Sequence, residues 1–205
     1  MKIVKVSPRR KHLTALLLED GTELLIDSEI VAIKNLSAGS VIESAADLLS
    51  ESDKKRARSR AMWYLSRCDH SEKALFDKLI KGGFSPEASR DGVDRMVELG
   101  LIDDERYATR LCEFYSEAGK SLREQYAKLI LKGVPSSIAK ELTAQNGDET
   151  DKIRRLIDIK YASKLQNDEG IQKVYAALIR KGFSYSDVKA ALREYSENLD
   201  NSEDF

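Results

Sequence analysis

The side chains in this 205-residue chain that could do chemistry are few, and most lie before residue 113. His70 stands two residues after Cys68, a spacing too tight and too unsupported for a zinc site. The other histidine, His12, falls in a predicted strand, and the second cysteine, Cys112, lies beside an apolar helical stripe. Both cysteines read as buried, reduced thiols. Asp103-Asp104-Glu105 is an acidic cluster just before an apolar helical stripe, which suits an N-cap with acidic first-turn residues better than a metal. No glycine-rich phosphate loop or G-x-S-x-G elbow occurs, and no catalytic activity is expected. The densest charge is Lys54-Lys55-Arg56-Ala57-Arg58-Ser59-Arg60. Those five cations can grip phosphates or acidic side chains, or form the solvated face of a helix whose other side carries Ala57, Ala61, Tyr64, Leu65 and Cys68. Trp63 and the tyrosines fall mostly at helical-stripe spacing and read as core.

The elements that hold these residues repeat. Leu79-Ile80 followed by Gly83 recurs as Leu129-Ile130 with Gly133, and as Leu178-Ile179 with Gly182. The glycines are 50 and 49 residues apart, a period that marks a repeat array. Each copy ends a helix on an apolar pair, places cations in the last turn and then supplies a glycine able to take positive φ. Ser85 with Pro86, and Ser184 with Asp187, then open the next helix. A helix precedes each pair: the Ala57–Cys68 pattern returns at Tyr107, Leu111, Phe114, Tyr115 and Ala118, and more loosely at Ile153, Ile157, Tyr161 and Leu165. The predicted architecture is mainly α: an elongated, curved tandem array of three three-helix repeats over 54–100, 101–146 and 147–197.

Residues 1–50 read as a small α+β extension. Ile3–Val6 is a strand, and Leu13–Leu18 with Leu24–Ile26 form a hairpin through an Asp20-Gly21 type I′ turn. A short helix capped by Asp27 or Ser28 follows, broken at Ala38-Gly39. Ser40-x-x-Glu43 then opens a further helix as a capping box, and Ser50–Asp53 forms the join to the first repeat. The acidic end, residues 198–205, is expected to be disordered.

The formal net charge of −1 hides a partition. Residues 54–197 carry 28 Lys and Arg against 23 Asp and Glu, whereas 1–53 carry 6 against 9. A mildly basic helical body between acidic ends fits weak attraction to nucleic acid without requiring it. No signal peptide or membrane span is readable, so a cytoplasmic protein is expected.

Lys81-Gly82-Gly83-Phe84-Ser85, Leu99-Gly100-Leu101-Ile102-Asp103-Asp104-Glu105-Arg106-Tyr107-Ala108 and Arg180-Lys181-Gly182-Phe183-Ser184 resemble the recombination regulatory protein RecX family, with the likeness covering about 55–197. The front end looks like an extension that some members carry. The resemblance implies a non-enzymatic modulator of RecA, and a monomer with no cofactor is expected. Members bind the RecA nucleoprotein filament along its helical groove and alter its growth, ATPase, strand exchange and coprotease activities, so the implied roles are DNA recombination, repair and the SOS response. Several members also bind DNA. The acidic ends of this chain make the expected affinity for single- or double-stranded DNA weak. Carried over as filament- or DNA-facing candidates are Lys54, Lys55, Arg56, Arg58, Arg60, Lys81, Lys132, Arg180 and Lys181. Copy two departs from the pattern, with Val134-Pro135 where the others have Phe-Ser.

Two rival readings use the same elements. A helix-turn-helix DNA-binding regulator would read bases through 86–98, but its Arg90 and Arg95 are outnumbered there by Glu87, Asp91, Asp94 and Glu98. A helical-repeat scaffold would bind proteins unrelated to recombination.

Overall fold

A computed structural model of the chain describes residues 1–10, 12–145 and 149–200. They divide into two compact units, one before and one after the boundary between Asp103 and Asp104.

The first unit opens with three strands, β1 (Ile3–Pro8), β2 (Leu13–Leu18) and β3 (Glu23–Asp27), paired antiparallel in the order β1-β2-β3. In the β2–β3 hairpin only Gly21 has positive φ, at 87°, and its N–H donates to the Leu18 carbonyl at 3.0 Å. The turn is therefore a type I turn closed by a left-handed glycine, because Asp20 keeps negative φ and instead accepts from the Thr22 N–H at 2.9 Å. Helix α1 (Ser28–Ile33) is capped by Asp27, whose Oδ1 accepts from the Glu29 N–H. It stops earlier than the sequence suggests, at Asn35, which takes φ 50° before Gly39 is reached. His12 is not in a strand; it precedes β2 with φ 60°, and its carbonyl accepts from the Ser28 N–H at 2.8 Å.

Helix α2 (Ala45–Leu65) overturns two expectations. Its N-cap is Ser44, which accepts from the Asp47 N–H, so Ser40–Glu43 is not a capping box. It also runs unbroken through Ser50–Asp53, so there is no join between an extension and a first repeat. Leu48 packs in the sheet core with Ile3, Leu16 and Ile26, and Ser52 Oγ accepts the Asp27 N–H at 2.8 Å while 2% exposed. Thirteen residues further along the same helix, Ala61 packs in a second core with Leu75, Leu79, Val93 and Met96. Helix α3 (Glu72–Lys81) and helix α4 (Pro86–Glu98) complete this layer. Helices α2 and α4 cross closely: a Cβ added at Gly92 would lie 3.3 Å from the Ala57 carbonyl carbon.

The second unit holds α5 (Asp104–Glu117), α6 (Leu122–Leu131), α7 (Ser136–Gln145), α8 (Thr150–Lys160), a 3-10 turn (Ala162–Lys164), α9 (Asp168–Arg180) and α10 (Tyr185–Asp200). Ala108, Cys112, Leu129, Val134 and Ala139 form one core, and Ile153, Ile157, Val174, Leu178 and Val188 are among the residues of another. Asp104 and Glu105 lie in the first turn of α5. Of the acidic end, residues 198–200 continue α10, while 201–205 lie outside the described residues.

The three corners share one backbone geometry. Gly83, Gly133 and Gly182 have φ of 87°, 83° and 91°. In each corner the glycine N–H donates to the carbonyl three residues back, and the next N–H donates to the carbonyl five back. This is the Schellman arrangement, which satisfies carbonyls the helix leaves open. Val134 and Phe183, both 3% exposed, occupy the same position after their glycines, so the Val134-Pro135 departure leaves the backbone corner unchanged.

Surroundings separate the three. Space around Gly83 is empty, whereas a Cβ at Gly182 would meet Ser121 Oγ at 2.9 Å and Arg123 Cβ at 3.2 Å. Ser121 is buried there, donating to the Lys181 carbonyl at 2.6 Å. Gly83→Ala is expected to cost about 1 kcal/mol from φ alone. Gly182→Ala should cost about 2–3 kcal/mol, because steric displacement adds to it. Urea unfolding of the two variants checks that order.

Glu149 lies beside the same junction, 4% exposed, with Oε1 accepting the Leu122 N–H at 2.7 Å. Burial pushes its carboxyl above the ordinary carboxylate range, against the lowering effect of that hydrogen bond and of Lys152. The folded state thus binds this proton more tightly than the unfolded chain does. Its contribution is fully present below the unfolded pKa and lost as pH rises through the folded one. Glu149→Gln keeps an acceptor without the charge, so its stability relative to wild type should increase as pH rises across that window. A pH series of paired unfolding curves tests the sign.

Candidate partner-binding surface

The basic run on α2 divides by helical phase. Lys54 and Arg58, one turn apart, face α4: Lys54 Nζ lies 2.5 Å from Glu87, and Arg58 makes a two-pronged contact to Asp91 at 2.6 and 2.7 Å. The Arg58 guanidinium holds the Asp91 carboxyl below its ordinary range, and the hydrogen bond to Asp91 raises Arg58 in turn. Lys55 turns the other way and bridges Asp27, at 3.4 Å, and Glu29, joining α2 to the end of β3 and the start of α1. The hydrogen bond to Glu29 lifts its pKa. The Lys54–Glu87 and Lys55–Glu29 pairs are exposed and add little to stability, so their main effect is to orient the elements.

Ala57 and Ala61 point inward, both 0% exposed. The remaining phase is Arg56, Arg60 and Trp63, at i, i+4 and i+7 on the outer face. Arg56 lies over the Phe84 ring at 5.7 Å, and Arg60 over Trp63 at 5.2 Å and over Tyr64 at 6.0 Å. Arg67, just past the helix, covers Trp63 at 4.5 Å. Neither Arg56 nor Arg60 meets a carboxylate among the described residues. Trp63 is not core, as its spacing suggested: it is 44% exposed. Arg56, Arg60, Trp63 and Phe84, with His12, Asp27, Glu29 and Lys55 among others, line an open cleft of about 740 Å³.

The other chemistry-bearing residues make no comparable site. Cys68 is exposed rather than buried, because α2 ends at Leu65 before the stripe reaches it; its Sγ lies 3.4 Å from His70 Nε2, which Lys78 Nζ also approaches at 3.1 Å. Cys112 is buried, and burial pushes its thiol up. Among the described residues no three His, Cys, Asp or Glu side chains cluster as a metal site. On α4, Arg90 lies 3.8 Å from Glu72 and 3.7 Å from Asp94, and Arg95 lies 2.9 Å from Glu98. Glu87 and Asp91 tie that helix to α2, so it does not present a base-reading face.

Residues 57–96 match the family model described as the RecX first three-helix domain. Over 136 residues the chain is 32% identical to the regulatory protein RecX of Xanthomonas axonopodis pv. citri (strain 306), covering 65% of this chain and 84% of that protein. This chain belongs to the RecX family. The regulatory protein RecX of Streptococcus equi subsp. equi (strain 4047) is 28% identical over 207 residues, 98% of this chain and 79% of that one. The crystal structure of a regulatory protein RecX shares the fold with a TM-score of 0.69 at 21% identity, over 94% of this chain and 98% of that chain.

The matched RecX segment contains Arg60, Trp63 and Phe84, while Arg56, His12 and Glu29 lie before it. Of the corner cations, Lys81 ends α3 in the first unit, and Lys132, Arg180 and Lys181 end α6 and α9 in the second; all four are exposed. Sequence reasoning missed the partners of Lys54, Lys55 and Arg58. The i, i+4, i+7 spacing of Arg56, Arg60 and Trp63 was the available signal for the outward face.

Proposed function

We propose that this RecX-family chain binds the RecA nucleoprotein filament and inhibits its recombinase, ATPase and coprotease activities, without catalysis of its own, as a cytoplasmic monomer in DNA repair. The carrying observation is an exposed surface in which Arg56 and Arg60 have aromatic neighbours and, among the described residues, no acidic partner, in a chain whose relatives are named regulatory proteins. Among the described residues no helix is long and apolar enough to cross a membrane, which is consistent with that location. A filament groove presents phosphates and acidic side chains, and surface cations speed encounter with both. Lys54, Lys55 and Arg58 act on the fold in this reading, and the exposed corner cations Lys81, Lys132, Arg180 and Lys181 supply supplementary contacts. Binding should weaken as salt rises, since charges are screened over about 8 Å at physiological ionic strength. The test is inhibition of the DNA-dependent ATPase of RecA by the purified chain across a salt series. An ATPase rate unchanged at saturating protein would refute the reading.

A further inference from the structure

The geometry points to the α2 cleft as a receptor for an acidic protein segment carrying an aromatic or aliphatic anchor, rather than for a nucleic-acid strand. This rests on the reading of a protein-binding regulator above and names what that surface takes. Three observations carry it.

Charge comes first. Residues 1–103 hold 17 Lys and Arg against 17 Asp and Glu, so the unit carries no net positive charge of the kind that favours an extended polyphosphate. The cleft also has an acidic lip: Glu29 is 65% exposed although it pairs with Lys55. Successive phosphates would run into that lip, whereas a short segment with two carboxylates can stay clear of it.

The second observation is what covers the rings. Trp63 already carries Arg67 at 4.5 Å and Arg60 at 5.2 Å, and Phe84 carries Arg56 at 5.7 Å. Single strands are held largely by bases stacking on open aromatic faces, and here guanidinium groups lie over them. An arginine held against a ring keeps its peripheral N–H donors available, and their fork matches a carboxylate.

Spacing is the third. Arg56 and Arg60 are one helical turn apart, about 6 Å of rise. Acidic residues at i and i+2 of an extended peptide are separated by roughly 6–7 Å, and the residue between them points away. A Glu-x-Glu segment can therefore engage both arginines, with a following apolar side chain against the exposed part of Trp63 or Phe84.

The experiment uses the full chain and fluorescence anisotropy with four labelled probes: a Glu-Ser-Glu-Phe-Leu peptide, its Gln-for-Glu and Lys-for-Glu counterparts, and oligothymidylate. The acidic peptide should bind at least about tenfold more tightly than the Gln peptide, and R56Q/R60Q should lose about the same factor. R56E/R60E should reverse the preference and bind a Lys-for-Glu peptide, a result that general damage to the fold would not give. Equal binding of the Glu and Gln peptides, or full binding by R56Q/R60Q, overturns the assignment. So does oligothymidylate that displaces the peptide and loses affinity in R56Q/R60Q. Sedimentation with RecA filaments is the separate arm: expected peptide results without filament binding would refute the RecA reading and leave the cleft assignment standing.

Discussion

Replacing Arg56 and Arg60 together by Glu is expected to weaken binding to the RecA nucleoprotein filament at least about tenfold, or 1.4 kcal/mol, with thermal unfolding unchanged. Both side chains are exposed and neither closes an ion pair among the described residues, so the fold does not depend on their charge. Reversal replaces attraction by repulsion toward phosphates and carboxylates alike. Lys55 is left out of the variant deliberately. It bridges Asp27 and Glu29, and a carboxylate in its place would put three acids together and disturb the attachment of α2 to β3 and α1. Filament binding titrated at low and moderate salt, with circular dichroism melts of both proteins, measures the effect. Wild-type affinity in a folded double variant would remove this face from the interaction.

Leu79→Ala is expected to lower the stability of the first unit by about 3–4 kcal/mol. Leu79 is 0% exposed and packs with Leu75, Ala61, Val93 and Met96. Its Cδ1 lies 3.4 Å from the position a Gly92 Cβ would take, beneath the α2–α4 crossing. Truncation leaves a cavity where two helix backbones already touch and cannot close further. A loss below about 1 kcal/mol in urea unfolding would contradict this description of the core.

Both effects concern helices whose existence is readable from the chain, but the two were legible to different degrees. The corners were clear because local chemistry sets them: Gly83, Gly133 and Gly182 stop helices through positive φ, and Ser85 and Ser184 cap the next ones. The continuity of α2 was hidden. Ser50-Glu51-Ser52-Asp53 has the composition of a linker, yet Ser52 is buried there as an acceptor for a backbone donor 25 residues away. Where α2 packs most closely on α4 the residues are Ala57 and Ala61, flanked by Lys54 and Arg58, so no row of large apolar residues announces that contact.

The surface was half legible. A run of five cations is visible in composition, but its division depends on Asp27, Glu29, Glu87 and Asp91, brought in by other elements. Trp63 and Tyr64 are adjacent, and only the helix phase fixed by Ala57 and Ala61 turns one outward. The aromatic neighbour Phe84 arrives from the corner after α3, 28 residues beyond Arg56.

Filament binding is measured by co-sedimentation of the wild-type chain with RecA assembled with and without single-stranded DNA, and with the DNA alone. The chain should pellet with the filament and stay in the supernatant with DNA alone, and its recovery should fall as salt rises. A chain that remains in the supernatant with assembled filaments at low salt would contradict filament binding.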